Sequence, residues 1–220
     1  MARWITFMGM MFLPAAARCA VAAPGAEASA TRRVLLVHGI YDSPWSMIWL
    51  RRSLEARGWQ VEAVKITPND GSIPFEEMAR QVSDFVDAHF PPGEKFDVVG
   101  FSMGGLVSRY YIQKMGGAAR VRRFVSISAP NHGTAWAWLS GRSGVRQMRP
   151  GSEMLRELNE GAGALESLDY TSIYTPLDLT ILPSASSRMP VGRNVITWVP
   201  LHPLMVMMPQ PMREVERALE

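Results

Sequence analysis

Cysteine is almost absent from this sequence. The one cysteine among its 220 residues is Cys19, and it lies in an N-terminal segment that we expect to be cleaved off. A mature chain without cysteine has no disulfide, no thiol nucleophile and no cysteine-ligated metal. Histidines and carboxylates do not cluster at metal-ligand spacing either, so we expect neither a metal nor another cofactor.

The sequence also lacks blocks of like charge and internal repeats. Its 23 lysines and arginines are scattered and exceed its 20 acidic residues by three. Such a distribution gives no reason to expect nucleic-acid binding. With 47% hydrophobic residues, the chain has enough apolar surface for one globular domain with a full core. We expect this domain to be a monomer.

No hydrophobic run is long enough to suggest a transmembrane helix. The apolar stretch from Trp4 to Ala17 is interrupted by Pro14 and is shorter than the ~20 residues that span a membrane. Arg3 precedes it and Ala-x-Ala patterns follow it, which predicts a secretory signal peptide over residues 1–30. The protein is therefore expected to be exported, either secreted or periplasmic. An unprocessed or membrane-held N-terminus is the alternative.

Residues 31–220 alternate between strand and helix patterns. Short apolar runs bounded by turn signals predict six strands, at Arg33–Val37, Val61–Thr67, Lys95–Val99, Arg123–Ser128, Thr171–Thr175 and Asn194–Val199. Apolar residues at helical spacing separate most of them. This order predicts an α/β fold of about six mostly parallel strands with helices on both faces.

One segment, at about residues 130–170, breaks the alternation. It contains one clear helix pattern, Ser152–Asn159, after a passage rich in glycine, arginine and serine. Long excursions from a compact sheet are usually lids or binding loops. We therefore expect a cap-like or loop excursion between the fourth and fifth strands.

The segment Gly100–Gly104 has the form G-x-S-x-G, with Ser102 at its centre. In this motif the serine stands at a sharp, strained turn between a strand and a helix, which leaves its hydroxyl exposed. The match alone is a weak signal. A buried strand pattern precedes it, however, and a helix pattern follows at Gly105–Met115, as the turn requires. Ser102 is therefore predicted to be a catalytic nucleophile.

A nucleophilic serine needs backbone N–H groups that stabilise the oxyanion of the tetrahedral intermediate. In this type of site one donor is the residue after the nucleophile, here Met103, and the other lies in a loop after a neighbouring strand. His38-Gly39-Ile40 follows the first strand, which makes the N–H of Ile40 the second candidate. His38 is expected to hold this loop by hydrogen bonds and to take no part in proton transfer.

The order of a Ser–acid–His triad along the chain restricts the other two members. Only His132 and His202 follow Ser102, and His202 comes directly after the last predicted strand. Asp178 follows the fifth predicted strand by a short turn, whereas Asp169 precedes that strand. The sequence therefore predicts Asp178 as the acid and His202 as the base.

Several of these motifs resemble one known family. Val37–Ile40, Gly100–Leu106, Tyr170–Asp178 and Gly192–Val195 are similar to the class-2 triacylglycerol lipases, which include very small secreted bacterial enzymes. The resemblance implies a minimal α/β-hydrolase fold that cleaves carboxylic esters of lipids without a metal or cofactor. It also implies the same triad and the same two oxyanion donors.

The excursion departs from the smallest members of that family, whose link between the fourth and fifth strands is short. Here the link contains His132, Trp136 and Trp138, and it looks more like the cap of other hydrolases. These three residues are candidates for substrate contacts. The alternative for the two tryptophans is that they only pack the excursion onto the sheet.

The predicted function is a lipase or carboxylesterase that acts through an acyl-enzyme on a lipid or small ester, with transient contact at a lipid interface. An acyltransferase or amidase would use the same triad. A catalytically inactive binding protein with a hydrolase fold is an alternative from another class.

Overall fold

The computed structural model describes residues 32–220, and these form a single six-stranded sheet with helices around it. The expected signal peptide lies outside the described residues. Within the sheet, every pair of neighbouring strands is parallel, and the spatial order is β2-β1-β3-β4-β5-β6. The strands are β1 Arg33–Val37, β2 Gln60–Val64, β3 Phe96–Phe101, β4 Val121–Ile127, β5 Asp169–Tyr174 and β6 Arg193–Ile196.

Alternate residues of the central strand β1 divide the core into two layers. Leu35 and Val37 pack into a cluster on one face of the sheet, and Val34 and Leu36 pack into a second cluster on the other face. Because successive side chains of a strand point to opposite faces, a fully apolar strand needs helices on both sides. The six α-helices supply them.

The helices are divided unequally between the two faces of the sheet. Helices α2, α3 and α5 contribute to the Leu35 cluster, and α1 and α6 to the Val34 cluster. The remaining helix, α4, is short and adds Val145 to the Leu35 cluster. The helices are α1 Ile48–Glu55, α2 Phe75–His89, α3 Met103–Lys114, α4 Ser143–Gln147, α5 Glu153–Glu160 and α6 Pro209–Leu219. None of the helices in residues 32–220 is both long and apolar enough to cross a membrane.

Strand β2 is shorter than its sequence pattern predicts. It ends at Val64 and not at Thr67, because the next backbone donors turn away from the sheet. The Ile66 N–H donates to the His38 imidazole, and the Thr67 N–H donates to the Gln81 side chain. The apolar pattern of the sequence does not reveal these side-chain acceptors.

The segment between β4 and β5 is built from short helices and turns. It contains 3-10 turns at Ala135–Leu139 and Ala162–Ser167 in addition to α4 and α5. The Ser152 hydroxyl accepts a hydrogen bond from the Leu155 N–H and caps α5, as Ser–x–x patterns before a helix predict. All of this segment leaves the sheet at the carboxyl ends of its strands, which is where ligands bind in open α/β folds.

Candidate active site

Ser102 occupies the turn between β3 and α3 in a strained backbone conformation. Its φ of 53° and ψ of −123° lie in a region that residues with a side chain rarely adopt, at a cost of roughly 1–3 kcal/mol. Two hydrogen bonds hold this turn in place. The Ser102 N–H donates to the Ile127 carbonyl in β4 at 2.8 Å, and the Ser102 carbonyl accepts from the Gly105 N–H at 3.0 Å.

The glycines around Ser102 are required by close backbone contacts. A Cβ at Gly104 would lie 2.2 Å from the carbonyl oxygen of Val37 in β1, and a Cβ at Gly100 would lie 2.7 Å from the Gly104 carbonyl oxygen. Neither separation is possible for real atoms. The G-x-S-x-G pattern therefore lets α3 begin directly against the central strands, which brings the Ser102 side chain to the edge of the sheet.

The loop after β1 lies directly beside the serine. A Cβ at Gly39 would be 3.2 Å from the Ser102 Cβ, so the backbone at Gly39 and Ile40 borders the nucleophile. The Ile40 N–H donates to no described residue. The Met103 N–H stands at the first position of α3, where a helix has no internal acceptor. Both predicted oxyanion donors are thus backbone groups next to Ser102.

His38 holds this loop through both of its ring nitrogens. Its Nε2 accepts the Ile66 N–H at 3.1 Å, which leaves Nδ1 to donate to the Gly39 carbonyl at 2.9 Å. Burial lowers the pKa of His38 below its usual value of 6.5, which favours this neutral form. The expectation that His38 fixes the loop by hydrogen bonds is confirmed.

The predicted acid and base form a buried hydrogen-bonded pair. His202 Nδ1 lies 2.7 Å from Asp178 Oδ2. The other carboxylate oxygen, Asp178 Oδ1, accepts the N–H groups of Thr180 at 2.8 Å and Ile181 at 2.9 Å. Asp178 is 3% and His202 7% exposed, so the imidazole is held with one orientation and its Nε2 is left for another partner.

The environment of Asp178 keeps its carboxylate ionised. Burial by itself raises the pKa of Asp178. The hydrogen bond and charge of His202, together with the N–H groups of Ile181 and Thr180, outweigh this effect and hold the pKa below its usual value of 3.8. An ionised Asp178 can stabilise a protonated His202 without taking up the proton itself.

Ser102 and His202 line one cavity of about 440 Å³, which we call the His202 cavity. The ring of His202 packs beside that of Phe101, with centroids 4.9 Å apart. His202 Nε2 is buried and forms no hydrogen bond with any described residue, and the hydroxyl of Ser102 is not bonded to it. Ser102 and the imidazole of His202 thus line the same cavity.

A second cavity of about 200 Å³ also borders Ser102, and we call it the Trp136 cavity. Trp136 forms one of its walls, and the indole N–H of this residue donates to the Leu179 carbonyl at 2.7 Å. Buried side chains of the segment between β4 and β5 also line the cavity, namely Ala137, Val145 and Met148. Of the three tentative substrate residues, only Trp136 reaches a cavity that contains the serine.

Trp138 and His132 line cavities other than the two beside Ser102, and a role for them in substrate binding stays a prediction. Trp138 borders a separate polar cavity, where the Arg149 guanidinium lies 4.7 Å from its ring centre. A 3-10 turn has about three residues per turn, so residues two apart point in different directions. His132 contacts the Arg188 carbonyl and the Asn159 side chain and borders a third cavity.

Arg109 is a buried residue that the sequence pattern did not single out. Its guanidinium, fully buried on α3, contacts no carboxylate. It donates only to neutral acceptors, which are the side chains of Gln113, Asn131 and Asn159 and the Leu158 carbonyl. Arginine is usually a surface residue, and nothing in the sequence pattern of this helix marks Arg109 as buried.

No group of three or more histidines, cysteines or carboxylates in residues 32–220 is arranged to hold a metal ion.

Comparison with known proteins places the fold among hydrolases. A lipase from Bacillus licheniformis in its mature form aligns with a TM-score of 0.67 and 15% identity over 87% of this chain and 93% of its own. Aspergillus fumigatus lipase B aligns with a TM-score of 0.72 and 19% identity over 87% of this chain and 53% of its own. The predicted minimal α/β-hydrolase fold is confirmed.

Two curated relatives share 28% identity with parts of the chain. The lysosomal thioesterase PPT2 of Mus musculus matches 128 residues, and the esterase PIR7B of Oryza sativa subsp. japonica matches 112 residues. These matches cover 56% and 47% of this chain but only 42% and 41% of the relatives.

The resemblance to lipases holds at the level of the α/β-hydrolase superfamily, while the narrower class-2 lipase family stays a prediction. Residues 33–187, which are most of the chain, match the palmitoyl protein thioesterase family. This range begins with β1 and includes Ser102, Asp178 and the whole segment between β4 and β5. The chain belongs to the palmitoyl protein thioesterase family.

Proposed function

We propose that this chain is a serine hydrolase that cleaves acyl esters of lipids through a covalent acyl-enzyme. The observation that carries the proposal is the buried Asp178–His202 pair, which lines the same cavity as the strained Ser102 and leaves His202 Nε2 without a hydrogen bond. A nucleophile, a base and an acid that orients the base are the parts that this chemistry needs.

In the first half of the reaction, the Ser102 oxygen attacks the ester carbonyl and its proton passes to His202 Nε2. The negative charge moves to the former carbonyl oxygen, which the N–H groups of Ile40 and Met103 stabilise. The intermediate collapses, the bond to the leaving oxygen breaks, and His202 gives its proton to that oxygen. The acyl group stays on Ser102.

In the second half, a water molecule replaces the alcohol. His202 takes a proton from the water as it attacks the acyl-enzyme, and the same two N–H groups hold the oxyanion. The acid leaves when the bond to Ser102 breaks and His202 returns the proton to the serine. The low pKa of Asp178 supports this cycle, because an ionised carboxylate favours the imidazolium at each step.

Thioester cleavage is the second candidate, and the family match favours it. A sulfur leaving group passes through the same tetrahedral intermediate and is expelled without needing as strong an acid. The cavity geometry is compatible with either atom. Oxoesters and thioesters are therefore tested side by side.

The first experiment uses a fluorophosphonate probe and mass spectrometry on the purified chain. The probe should label Ser102 of the wild type, and the Ser102→Ala variant should remain unlabelled while its melting temperature is retained. Hydrolysis of p-nitrophenyl butyrate should fall by several orders of magnitude in this variant, since a triad acts as a unit. Retention of more than about a tenth of the activity would exclude Ser102 as the nucleophile.

A second experiment compares ethyl butyrate with S-ethyl thiobutyrate, which differ only in the leaving atom. Hydrolysis of both by the wild type and of neither by Ser102→Ala is the expected result. Turnover of the thioester alone would assign the chain to the second candidate. An unlabelled wild type that hydrolyses neither would support the alternative of an inactive binding protein.

Export is part of the proposal as well, and it depends on residues 1–30. When the full chain is expressed with a secretion system, the mature protein should begin near Ala30. Sequencing of its N-terminus tests this directly.

A further inference from the structure

The exposed apolar side chains of residues 32–220 are concentrated at one edge of the sheet. Thirteen large apolar or aromatic side chains are at least 41% exposed, and all thirteen lie at or beyond the carboxyl ends of β1, β4, β5 and β6. Exposed apolar residues are normally scattered singly over a protein surface. We call this region the carboxyl-edge surface, and it consists of the exposed residues within 38–49, 128–152, 175–192 and 196–208.

The carboxyl-edge surface borders the predicted nucleophile. Tyr41, Trp45, Trp49 and Met207 line the His202 cavity, and Tyr41 and Trp136 line the Trp136 cavity. These residues come from the connections that follow β1, β4 and β6. A substrate has to cross this apolar surface to reach Ser102.

Tryptophan is concentrated on this surface. Of the six tryptophans in residues 32–220, Trp59 is buried and the other five are exposed here, namely Trp45, Trp49, Trp136, Trp138 and Trp198. Tryptophan has a large apolar body and one polar N–H, and it is enriched where the acyl chains of a membrane meet the headgroups. This composition favours a lipid surface as the partner.

The charges of the carboxyl-edge surface favour anionic lipid. Within its four ranges the carboxylates are Asp42 and Asp178, and Asp178 is buried against His202. The whole chain has nearly equal numbers of basic and acidic residues, 23 and 20, so an excess of arginine in these ranges is local. Positive charge of this kind attracts the headgroups of anionic lipids. The arginines are Arg142, Arg146, Arg149 and Arg188.

Three arginines lie over aromatic rings that are exposed at this edge. The distances from the guanidinium carbon to the ring centre are 4.7 Å for Arg149 and Trp138, 5.6 Å for Arg52 and Trp49, and 5.7 Å for Arg142 and Tyr41. Each pair presents a cation and an apolar surface side by side. A phospholipid offers the complement, which is a phosphate close to the start of an acyl chain. Arg142 is also paired with Asp70 at 3.6 Å, so the variants below use other arginines.

We propose that the carboxyl-edge surface docks on an anionic phospholipid bilayer, with both cavities beside Ser102 on the side of the lipid. This proposal rests on the proposed function, because the membrane then supplies the ester that Ser102 attacks. Another protein or a second copy of this chain on the same surface would cover both cavities and exclude the substrate. A bilayer does not exclude it, because the substrate is part of the bilayer.

The first test measures binding separately from catalysis. The Ser102→Ala variant is sedimented with vesicles of phosphatidylcholine, either alone or with phosphatidylserine at about one third of the lipid. We expect the partition coefficient to be about ten-fold or more higher on the vesicles that contain phosphatidylserine, and to fall as salt is added. Equal binding to the two kinds of vesicle, or binding to neither, would overturn the proposal.

Two matched pairs of arginines test whether the charge acts locally. Arg146→Gln with Arg188→Gln removes two exposed arginines from the carboxyl-edge surface. Arg80→Gln with Arg213→Gln changes the net charge equally but removes exposed arginines of α2 and α6. The first pair should lower the partition coefficient by about ten-fold and the second by less than about two-fold. Equal losses would mean that only the net charge matters, and the proposed surface would be wrong.

The apolar contribution is tested at two positions that line neither cavity beside Ser102. Leu139 and Trp198 are 76% and 65% exposed, so Leu139→Ala with Trp198→Ala should fold. This double variant should lower the partition coefficient by about ten-fold and slow the hydrolysis of an ester embedded in vesicles to a similar extent. Its kcat/KM for monomeric p-nitrophenyl butyrate should stay unchanged. Trp198→Phe keeps an aromatic ring and is the control, which should retain most of the binding.

An equal loss of activity on monomeric and embedded esters in the double variant would contradict docking, because these residues would then support the active site itself. Sedimentation velocity tests the other occupant. A dimer that the double variant converts to a monomer would assign the carboxyl-edge surface to a second copy of the chain and overturn the proposal.

The proposed function and the docking fail in different ways. If vesicles are bound as expected but Ser102 of the wild type is neither labelled nor active, the proposed function is wrong and the surface still binds lipid. If a labelled Ser102 hydrolyses monomeric esters but no vesicles are bound, only the docking is wrong.

Discussion

The sheet that carries Ser102 and the segment between β4 and β5 meet at the same cavities, yet different interactions hold them. Every residue of β3 is buried, and backbone contacts at Gly100 and Gly104 allow no added atom. The segment instead packs apolar side chains of α4 and α5 into the Leu35 cluster, and arginine side chains that donate to neutral groups tie its turns together. Arg149, for example, donates to the carbonyls of Ala137 and Ser140. Changes near the sheet should therefore abolish the reaction, and changes in the segment should adjust stability or selectivity.

The most direct test of this comparison removes one histidine beside the sheet and one histidine in the segment between β4 and β5. His202→Ala should lower kcat/KM for p-nitrophenyl butyrate by about three orders of magnitude or more, because the base of a triad is lost. His132→Ala, in the segment, should change it by no more than about a few-fold. The reverse pattern would mean that the base has been misidentified. Melting temperatures of both variants show whether each is folded.

Arg109 on α3 joins the two regions through hydrogen bonds to Asn131, Leu158 and Asn159 of the segment. Replacing it measures what these bonds contribute to stability. Burial lowers the pKa of its guanidinium to about 10, so Arg109 remains protonated at neutral pH. Arg109→Ala leaves the side-chain oxygens of Asn131 and Asn159 without a donor away from solvent, whereas the Leu158 carbonyl keeps the hydrogen bond from the Gln113 amide. We expect the free energy of unfolding, measured in urea, to fall by about 3 kcal/mol or more.

The control for Arg109 is a solvent-exposed arginine in the segment between β4 and β5. Arg156 is exposed on α5, and Arg156→Ala should change the free energy of unfolding by less than about 0.5 kcal/mol. Equal losses in the two variants would show that the buried contacts of Arg109 add nothing.

The ionisation of Asp178 should make the free energy of unfolding depend on pH. Its pKa in the folded chain lies below the usual value of 3.8, so the ionised form is stabilised by folding. This stabilisation is fully present above the pKa of the unfolded chain and is lost as the pH falls through the lower folded pKa. Urea unfolding of the wild type and of Asp178→Asn should therefore differ most near pH 7, and the difference should shrink below about pH 4. A difference in unfolding free energy that does not change with pH would contradict this prediction.

The smallest expected effect distinguishes two neighbouring tryptophans of the segment. Trp136→Ala should reduce hydrolysis of octanoate esters relative to acetate esters by about five- to ten-fold, because contact with two or so methylenes is lost. Trp138→Ala, two residues away and outside both cavities, should leave that ratio unchanged. If both variants lower the ratio equally, the two tryptophans act through packing of the segment.

The parts of the molecule that the sequence predicts well are those in which one physical requirement acts alone. Strand β1 was predicted with its observed ends, because burial on both faces leaves only apolar residues from Val34 to Val37. The turn at Ser102 was predicted because close contacts admit only glycine on each side of it. Both requirements are visible in a single chain without any partner residue.

The parts that the sequence could not predict depend on distant partners. The end of β2 is set by the side chains of His38 and Gln81, which are far away along the chain. The burial of Arg109 depends on acceptors that α5 and its neighbours bring to it. The different surroundings of Trp136 and Trp138 follow from the path of a 3-10 turn, which a pattern of two aromatic residues two positions apart does not specify.

The strand order has a consequence for the synthesis of the protein. After β3 pairs with β1, each later strand joins the outer edge of the sheet in the order in which it leaves the ribosome, from β4 to β6. No strand has to be inserted between two that are already paired. Ser102 can therefore take up its strained turn early in translation, whereas His202 follows the last strand. Under the proposed mechanism, the nascent chain holds its nucleophile without a base while the 100 residues from Ser102 to His202 are made, and the two come together only after β6 has formed.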